Sequence, residues 1–211
     1  MKKNAISALS KTKVIVFLTV VAAISFFSTG CTPNTPTPHP AGGCITTNTN
    51  FQQIYNGLIT SGYQDNTSLM DTKVHEYTFR LNGNYTVCKV GYQSQPLTAT
   101  MPYTINLIDT TAHTVIFSVN GMFSSTATSY LPVPNQVPLP AGHVFTLQRI
   151  APAPVPLTMY NNGRLARPSS GNVVYPIGNG YGAIVATNFY DTPGQTNLKN
   201  FGVPYIDLVF Q

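Results

Sequence analysis

The sequence predicts an all-β chain: an antiparallel, jelly-roll-like β-sandwich of about nine strands with one short N-terminal helix. Three observations predict it. Apolar residues alternate with polar ones at a period of two in run after run, which is the pattern of a half-buried strand. Clusters of Gly, Pro and Asn separate these runs with little helical pattern between them, the spacing of a sandwich rather than a parallel α/β sheet. Only 8% of residues are charged while 43% are apolar. That is enough to fill a core, and it leaves hydroxyls and amides rather than Lys and Glu to cover the outer sheet faces.

Residues 1–13 carry Lys2, Lys3, Lys11 and Lys13 and no acid, and residues 14–27 are an uncharged apolar run broken only by Thr19 and Ser25. At fourteen residues that run is short for a membrane span, which needs about 20, and suits the core of an export signal. Ser28, Thr29 and Gly30 then precede Cys31. The segment resembles a bacterial lipoprotein precursor, whose signal ends in small residues before a cysteine. The resemblance implies cleavage after residue 30, lipid on the Cys31 sulfur and a palmitate-bearing membrane anchor. Ser28 stands where that pattern usually has Leu, and a plainly secreted protein or an uncleaved anchor are the alternatives. By the family's sorting rule, Thr32 in place of Asp implies the outer membrane of the cell envelope, with the periplasmic or surface face left open.

Charge follows from this division. All six acids lie after Cys31 and four of the eleven bases before it, so the mature chain carries seven bases against six acids rather than a net +5. No nucleic-acid partner is expected, since one needs a basic face. Residues 31–43 form a Pro-rich tether containing His39, held extended at roughly 3 Å per residue, and residues 44–211 form the single folded domain.

Phe51, Ile54, Tyr55, Leu58 and Ile59 fall on one helical face, with Asn50 placed to cap the start and Gly62 the end. From Glu76 the period changes to two, through Tyr77, Phe79 and Leu81. Asn82-Gly83 is a strong hairpin signal, and residues 85–92 follow as the next strand. Further strands are expected at 103–109, 114–119, 129–133, 143–150, 173–177, 183–190 and 205–210. Pro132, Pro134, Pro138 and Pro140 punctuate one connection, which places it at an edge or in a surface loop because Pro donates nothing to a ladder. Residues 178–182 read as a hairpin turn. The strand Tyr77-Thr78-Phe79, Val90-Gly91-Tyr92, residues 103–109, and Leu139 to Gly142 ahead of Val144 to Leu147 resemble jelly-roll domains of unknown function in secreted and lipid-anchored bacterial proteins. That resemblance implies a fold and nothing about activity.

Cys44 and Cys88 are the thiols left once Cys31 is acylated. In an oxidising envelope they are a disulfide candidate; two separate thiols are the alternative. His39, His75, His113 and His143 lack zinc-ligand spacing. Asp191 and Asn197 bracket a loop with oxygen donors, as does Asp65-Asn66; each is a candidate for calcium or an ordinary Asx turn. No cofactor is expected. A glycan hydrolase needs two carboxylates at about 5 to 9.5 Å, to be drawn from Asp65, Asp71, Glu76, Asp109, Asp191 and Asp207. On the last strand, alternation turns Asp207 away from Ile206 and Leu208, as a solvent-facing or paired acid. No serine-nucleophile motif occurs. Arg149, Arg164 and Arg167 form a local positive stretch suited to an anionic glycan or a lipid head group, or serve only to solubilise. Tyr63, Tyr160 and Tyr181, in expected loops, are candidate sugar platforms in a chain with no Trp.

The expectation is therefore a lipid-anchored envelope protein acting by non-catalytic binding or adhesion, with a glycan or an envelope protein as partner. A glycan-directed hydrolase and a structural subunit of a surface assembly are the alternatives. Paired carboxylates in a cleft favour the hydrolase, an exposed tyrosine platform favours sugar binding, and a long unpaired strand edge favours assembly.

Overall fold

The computed structural model describes residues 43–67, 72–152, 163–192 and 198–211. The signal 1–30, Cys31 and most of the tether, with His39, lie outside the described residues. The elements run α1 (Asn50–Thr60), β1 (Gln64–Asn66), β2 (Val74–Leu81), β3 (Tyr85–Tyr92), β4 (Tyr103–Asp109) and β5 (Thr114–Gly121). Then come β6 (Ser129–Leu139), β7 (Val144–Ile150), β8 (Leu165–Arg167), β9 (Ile177–Asn179) and β10 (Gly182–Tyr190). The last are β11 (Leu198–Lys199), β12 (Val203–Pro204) and β13 (Asp207–Phe210).

Every pairing is antiparallel. A seven-stranded sheet runs β11-β10-β2-β7-β4-β5 with β9 joined to β10, and two three-stranded sheets run β13-β3-β6 and β1-β8-β12. This is the all-β sandwich with one short helix that alternation predicts. The count is thirteen strands among the described residues, because β1, β8, β9, β11 and β12 are too short for periodicity to reveal.

Alternation along the large sheet separates two chemistries. Inward, the row Tyr77, Leu147, Leu107 and Phe117 lies in register across four strands, each residue buried. Outward, Asn106 donates to Gln148 at 3.0 Å, Gln148 to Glu76 at 2.9 Å and Tyr190 to Glu76 at 3.0 Å. One register step on, the Thr78 and Thr146 hydroxyls meet at 3.0 Å. Hydroxyls and amides do cover this face, with little formal charge.

Helix α1 buries Phe51, Tyr55 and Leu58. Phe51 stacks on Tyr77 at 5.3 Å, and Tyr55 meets the edge of Tyr205 at 4.8 Å. Its cap is Thr49, not Asn50: the Thr49 hydroxyl accepts from the Gln52 N–H at 3.1 Å while the Gln52 side chain accepts from the Thr49 N–H. Threonine followed by Gln three residues on is a capping box, a stronger arrangement than the lone Asn one residue later. Gly62 ends the helix at φ +95°, where a Cβ would be strained.

Three local expectations are corrected. Asn82-Gly83 turns no hairpin: β2 and β3 belong to different sheets, and the pair makes the corner between them. Asn82 N–H is instead held by the Tyr181 carbonyl at 2.8 Å, so this corner is tied to the genuine β9–β10 hairpin at residues 178–182. Residues 173–176 form no strand. Val174 is 80% exposed, the Val173 N–H is taken by the Asn200 carbonyl, and Pro176 has no N–H for a ladder. Strand β13 starts at Asp207, two residues later than expected. The proline-rich run is the edge strand β6, carrying Pro132, Pro134 and Pro138 where a missing N–H is tolerated.

Candidate functional site

Cys44 and Cys88 form a disulfide, with Cα atoms 6.0 Å apart. It binds the start of the domain to β3. Just beyond it lies a buried polar knot. Asp207, wholly inaccessible, accepts from Thr49 Oγ1 at 2.7 Å, Gln52 Nε2 at 2.9 Å and Tyr130 OH at 2.8 Å. Gln52 and Tyr130 also reach the Thr46 carbonyl. Burial outweighs these bonds and raises the Asp207 carboxyl above its usual value. The knot fastens residues 46–52 onto β6 and β13. Asp207 is the paired acid of the two expectations, not the solvent-facing one.

Each of the other described acids is engaged singly. Asp65 is bracketed by Arg164, whose Nε lies 2.9 Å from both carboxylate oxygens, and accepts from Tyr55 OH at 2.9 Å. Partial burial pushes the Asp65 carboxyl up, but the bonds from Arg164 and Tyr55 prevail and hold it below its ordinary value. Asp109 likewise is raised by desolvation, yet ends lower because His143 Nδ1 at 2.6 Å and the Thr111 and Ala112 N–H groups favour the anion. Glu76 sits in the outer ladder of hydroxyls and amides. Asp191 accepts the Lys73 N–H at 2.9 Å. These five carboxylates have five separate sets of partners, and Asp71 lies outside the described residues.

The residues expected to bind sugar or cations are not assembled as a surface. Tyr63 is half-buried against the core. Tyr181 is half-buried, packs on Tyr85 at 5.7 Å and lines a small apolar cavity with Phe51, Phe79 and Phe210. That cavity is about 40 Å³, room for water but far below the several hundred Å³ of a ligand pocket. Tyr160 lies outside the described residues. Arg164 is spent on Asp65 and lies over the Tyr205 ring at 4.7 Å; Arg167 lies over Phe201 at 4.0 Å. Asp65 and Asn66 lie in strand β1 rather than in a loop, and the Asp65 carboxylate is bound by the Arg164 guanidinium. Asn197, the companion of Asp191, lies outside the described residues. Among the described residues no three His, Cys, Asp or Glu side chains gather as a metal site.

Two features escaped the sequence. Arg149 is no solubilising residue: it is 1% exposed. Its Nη1 donates to the Lys73 carbonyl at 3.2 Å, and its plane faces the rings of Tyr92 and Tyr103 at 5.5 and 5.9 Å. Its Nε and Nη2 have no hydrogen-bond partner among the described residues, and neither do His75 Nε2 and Tyr92 OH beside it. Burial, helped by the Arg149 charge, holds His75 well below its normal pKa and therefore neutral. Alternation carries the signal that could have found it, since Arg149 shares the face of Phe145 and Leu147 on β7, both fully buried. The second feature is an open groove of about 330 Å³ between β5 and β6, lined by Ser118, Val119, Asn120, Leu131, Pro132 and Pro134. It exists only because two edge strands from different sheets face each other.

No protein-family model matches this chain, and no curated protein is similar to it in sequence.

Proposed function

We propose that the chain is a membrane-anchored bacterial envelope lipoprotein, lipidated at Cys31, whose β-sandwich acts by non-catalytic binding of a glycan or an envelope protein. The observation that carries the reading is the disposition of the carboxylates. A glycan hydrolase needs two acids facing one bond, whereas Asp65, Glu76, Asp109, Asp191 and Asp207 each hold a different part of the scaffold. The Cys44–Cys88 bond supports an oxidising compartment. Full-length protein in detergent is to be screened on a glycan array and by pull-down from envelope extracts, with palmitate labelling of wild type and Cys31→Ala. The expected outcome is a recovered glycan or envelope partner and labelling lost in the variant. Hydrolysis of an arrayed glycan, or no partner at all, sinks the binding reading; labelling retained in Cys31→Ala sinks the anchor.

The open edge of β5 favours a second reading, a structural subunit of a surface assembly. The eight residues Thr114–Gly121 contain no charge and no Pro, no described strand pairs with their outer side, and Val115 is 62% exposed. Natural edge strands usually carry Lys, Pro or a bulge against such pairing, and of these β5 has only a bulge at Ile116, where its register with β4 shifts. If this edge joins copies, sedimentation will show concentration-dependent oligomers, dispersed by Val115→Lys with Ser118→Lys. A wild type monomeric throughout removes this reading.

A further inference from the structure

We infer that the buried Arg149 guanidinium, with Tyr92 and His75 beside it, is the recognition point for an oxyanion carried by the ligand: a carboxylate, sulfate or phosphate group. The inference rests on the binding reading above and supplies the chemistry of its ligand.

Cost is the first argument. A cation taken out of water without a counter-charge is strongly disfavoured even after the protein relaxes around it. The returns inside the protein are one carbonyl and two aromatic faces, and a cation–π contact stabilises less than a paired carboxylate does. No carboxylate among the described residues bonds Arg149. Asp191, the acid nearest in the chain of bonds, takes the Lys73 N–H while Arg149 takes the Lys73 carbonyl.

Geometry is the second. The unpartnered atoms are Nε and Nη2, the two that form the side-on fork of a guanidinium, which grips a carboxylate or phosphate bidentately. The molecule contains its own reference for that grip. Arg164 applies the same Nε and Nη2 edge to the Asp65 carboxylate. Nε and Nη2 of Arg149 form the same edge, buried and without a hydrogen-bond partner.

The surroundings are the third. His75 lies directly opposite Arg149 in the β2–β7 register, and Tyr92 lies under the guanidinium. Both have a polar atom, His75 Nε2 and the Tyr92 hydroxyl, buried without a hydrogen-bond partner, so the neighbours of the fork are as short of partners as the fork itself. Because His75 is neutral, the site carries one positive charge, matched by one anion. Arg149 is the penultimate residue of β7 and Tyr103 the first of β4, which sets the fork at one end of the large sheet rather than in its middle.

The test uses the full-length protein in detergent, titrated with acetate, glucuronate, sulfate and inorganic phosphate at constant ionic strength in chloride. The readouts are thermal midpoint and the arginine Nε–Hε resonances by NMR. The chain has four arginines, Arg80, Arg149, Arg164 and Arg167, so Arg149→Lys assigns its signal. A saturable shift of the Arg149 resonance with at least one probe is expected. Binding should weaken on the order of tenfold or more in Arg149→Lys, which keeps the charge but loses the fork, and vanish in Arg149→Met. A response to acetate and glucuronate alone assigns a carboxylate ligand, and one to phosphate or sulfate alone an ester. No saturable shift in wild type with any probe overturns the inference without relying on a variant that folds; so does undiminished binding in Arg149→Met. A neutral glycan or protein partner recovered without an anion response overturns this inference and leaves the binding reading standing.

Discussion

Reduction of the Cys44–Cys88 disulfide, or its replacement by Cys44→Ala with Cys88→Ala, will destabilise the sandwich by about 4 kcal/mol on the loop-entropy model. The bridge spans 44 residues that include α1, β1 and β2, so the unfolded chain gains a large closed loop of freedom when it is cut. For a domain of this size that is a fall in midpoint temperature of roughly 10 °C. The effect is also local. Residues 44–52 reach the sheets through this bond and through the Asp207 knot, so its loss loosens the helix start before the large sheet. Thermal unfolding with and without reductant checks it. A midpoint unchanged by reductant, with free thiols confirmed by titration, would refute a structural role.

Asp207→Ala will cost about 2 to 4 kcal/mol, because Thr49, Gln52 and Tyr130 lose the acceptor they converge on inside the protein. The Cα and backbone pairing of β13 with β3 are untouched, so the loss is one of side-chain bonding. Asp207→Asn separates charge from shape. The folded carboxyl is raised above the ordinary 3.8, so the folded state holds its proton more tightly than the unfolded chain. Its contribution is fully present below pH 3.8 and lost as pH rises through the folded pKa. Wild type will therefore gain stability relative to Asp207→Asn as pH is lowered from neutrality towards 4. Asp65 and Asp109, held low, act oppositely below that range, and the comparison with the Asn variant cancels them. Urea unfolding at pH 7 and pH 4 measures the difference; wild type losing stability relative to Asp207→Asn between pH 7 and pH 4 contradicts the assignment. Because the knot and the disulfide secure the same segment, the combined variant should cost less than the sum of the two.

Local spacing made much of this legible. The stripe Phe51, Tyr55, Leu58 needs only a helical period, and the strands at 85–92 and 103–109 need only alternation, since burial of one face selects them whatever covers it. The cysteine pair was legible as a candidate from count rather than spacing: with Cys31 set aside, two thiols leave one partner each. The failures share a cause. Asn82-Gly83 specifies a tight reversal but not whether the strands it joins pair or part to different sheets. The stretch 173–177 has strand composition, and the loop form of 173–176 depends on Asn200 arriving from elsewhere in the chain. Tyr63 and Tyr181 sit in turns, yet tertiary packing draws both against the core.

By itself, then, the sequence determined an all-β class with one short helix; an exported, tethered chain, a cap at Asn50 and a Cys44–Cys88 bond were expectations, and the structure moved the cap to Thr49 and formed the bond. Only the tertiary structure decided the chemistry. It took Asp65 for Arg164 and Asp207 for the helix start, and it buried Arg149 with Nε and Nη2 bonded to no described residue. Periodicity sets which way a side chain points, but the partner waiting there comes from a strand many residues away. Charge is compensated or left open by that encounter, and so the candidate site became visible only when β2, β3, β4 and β7 were brought together.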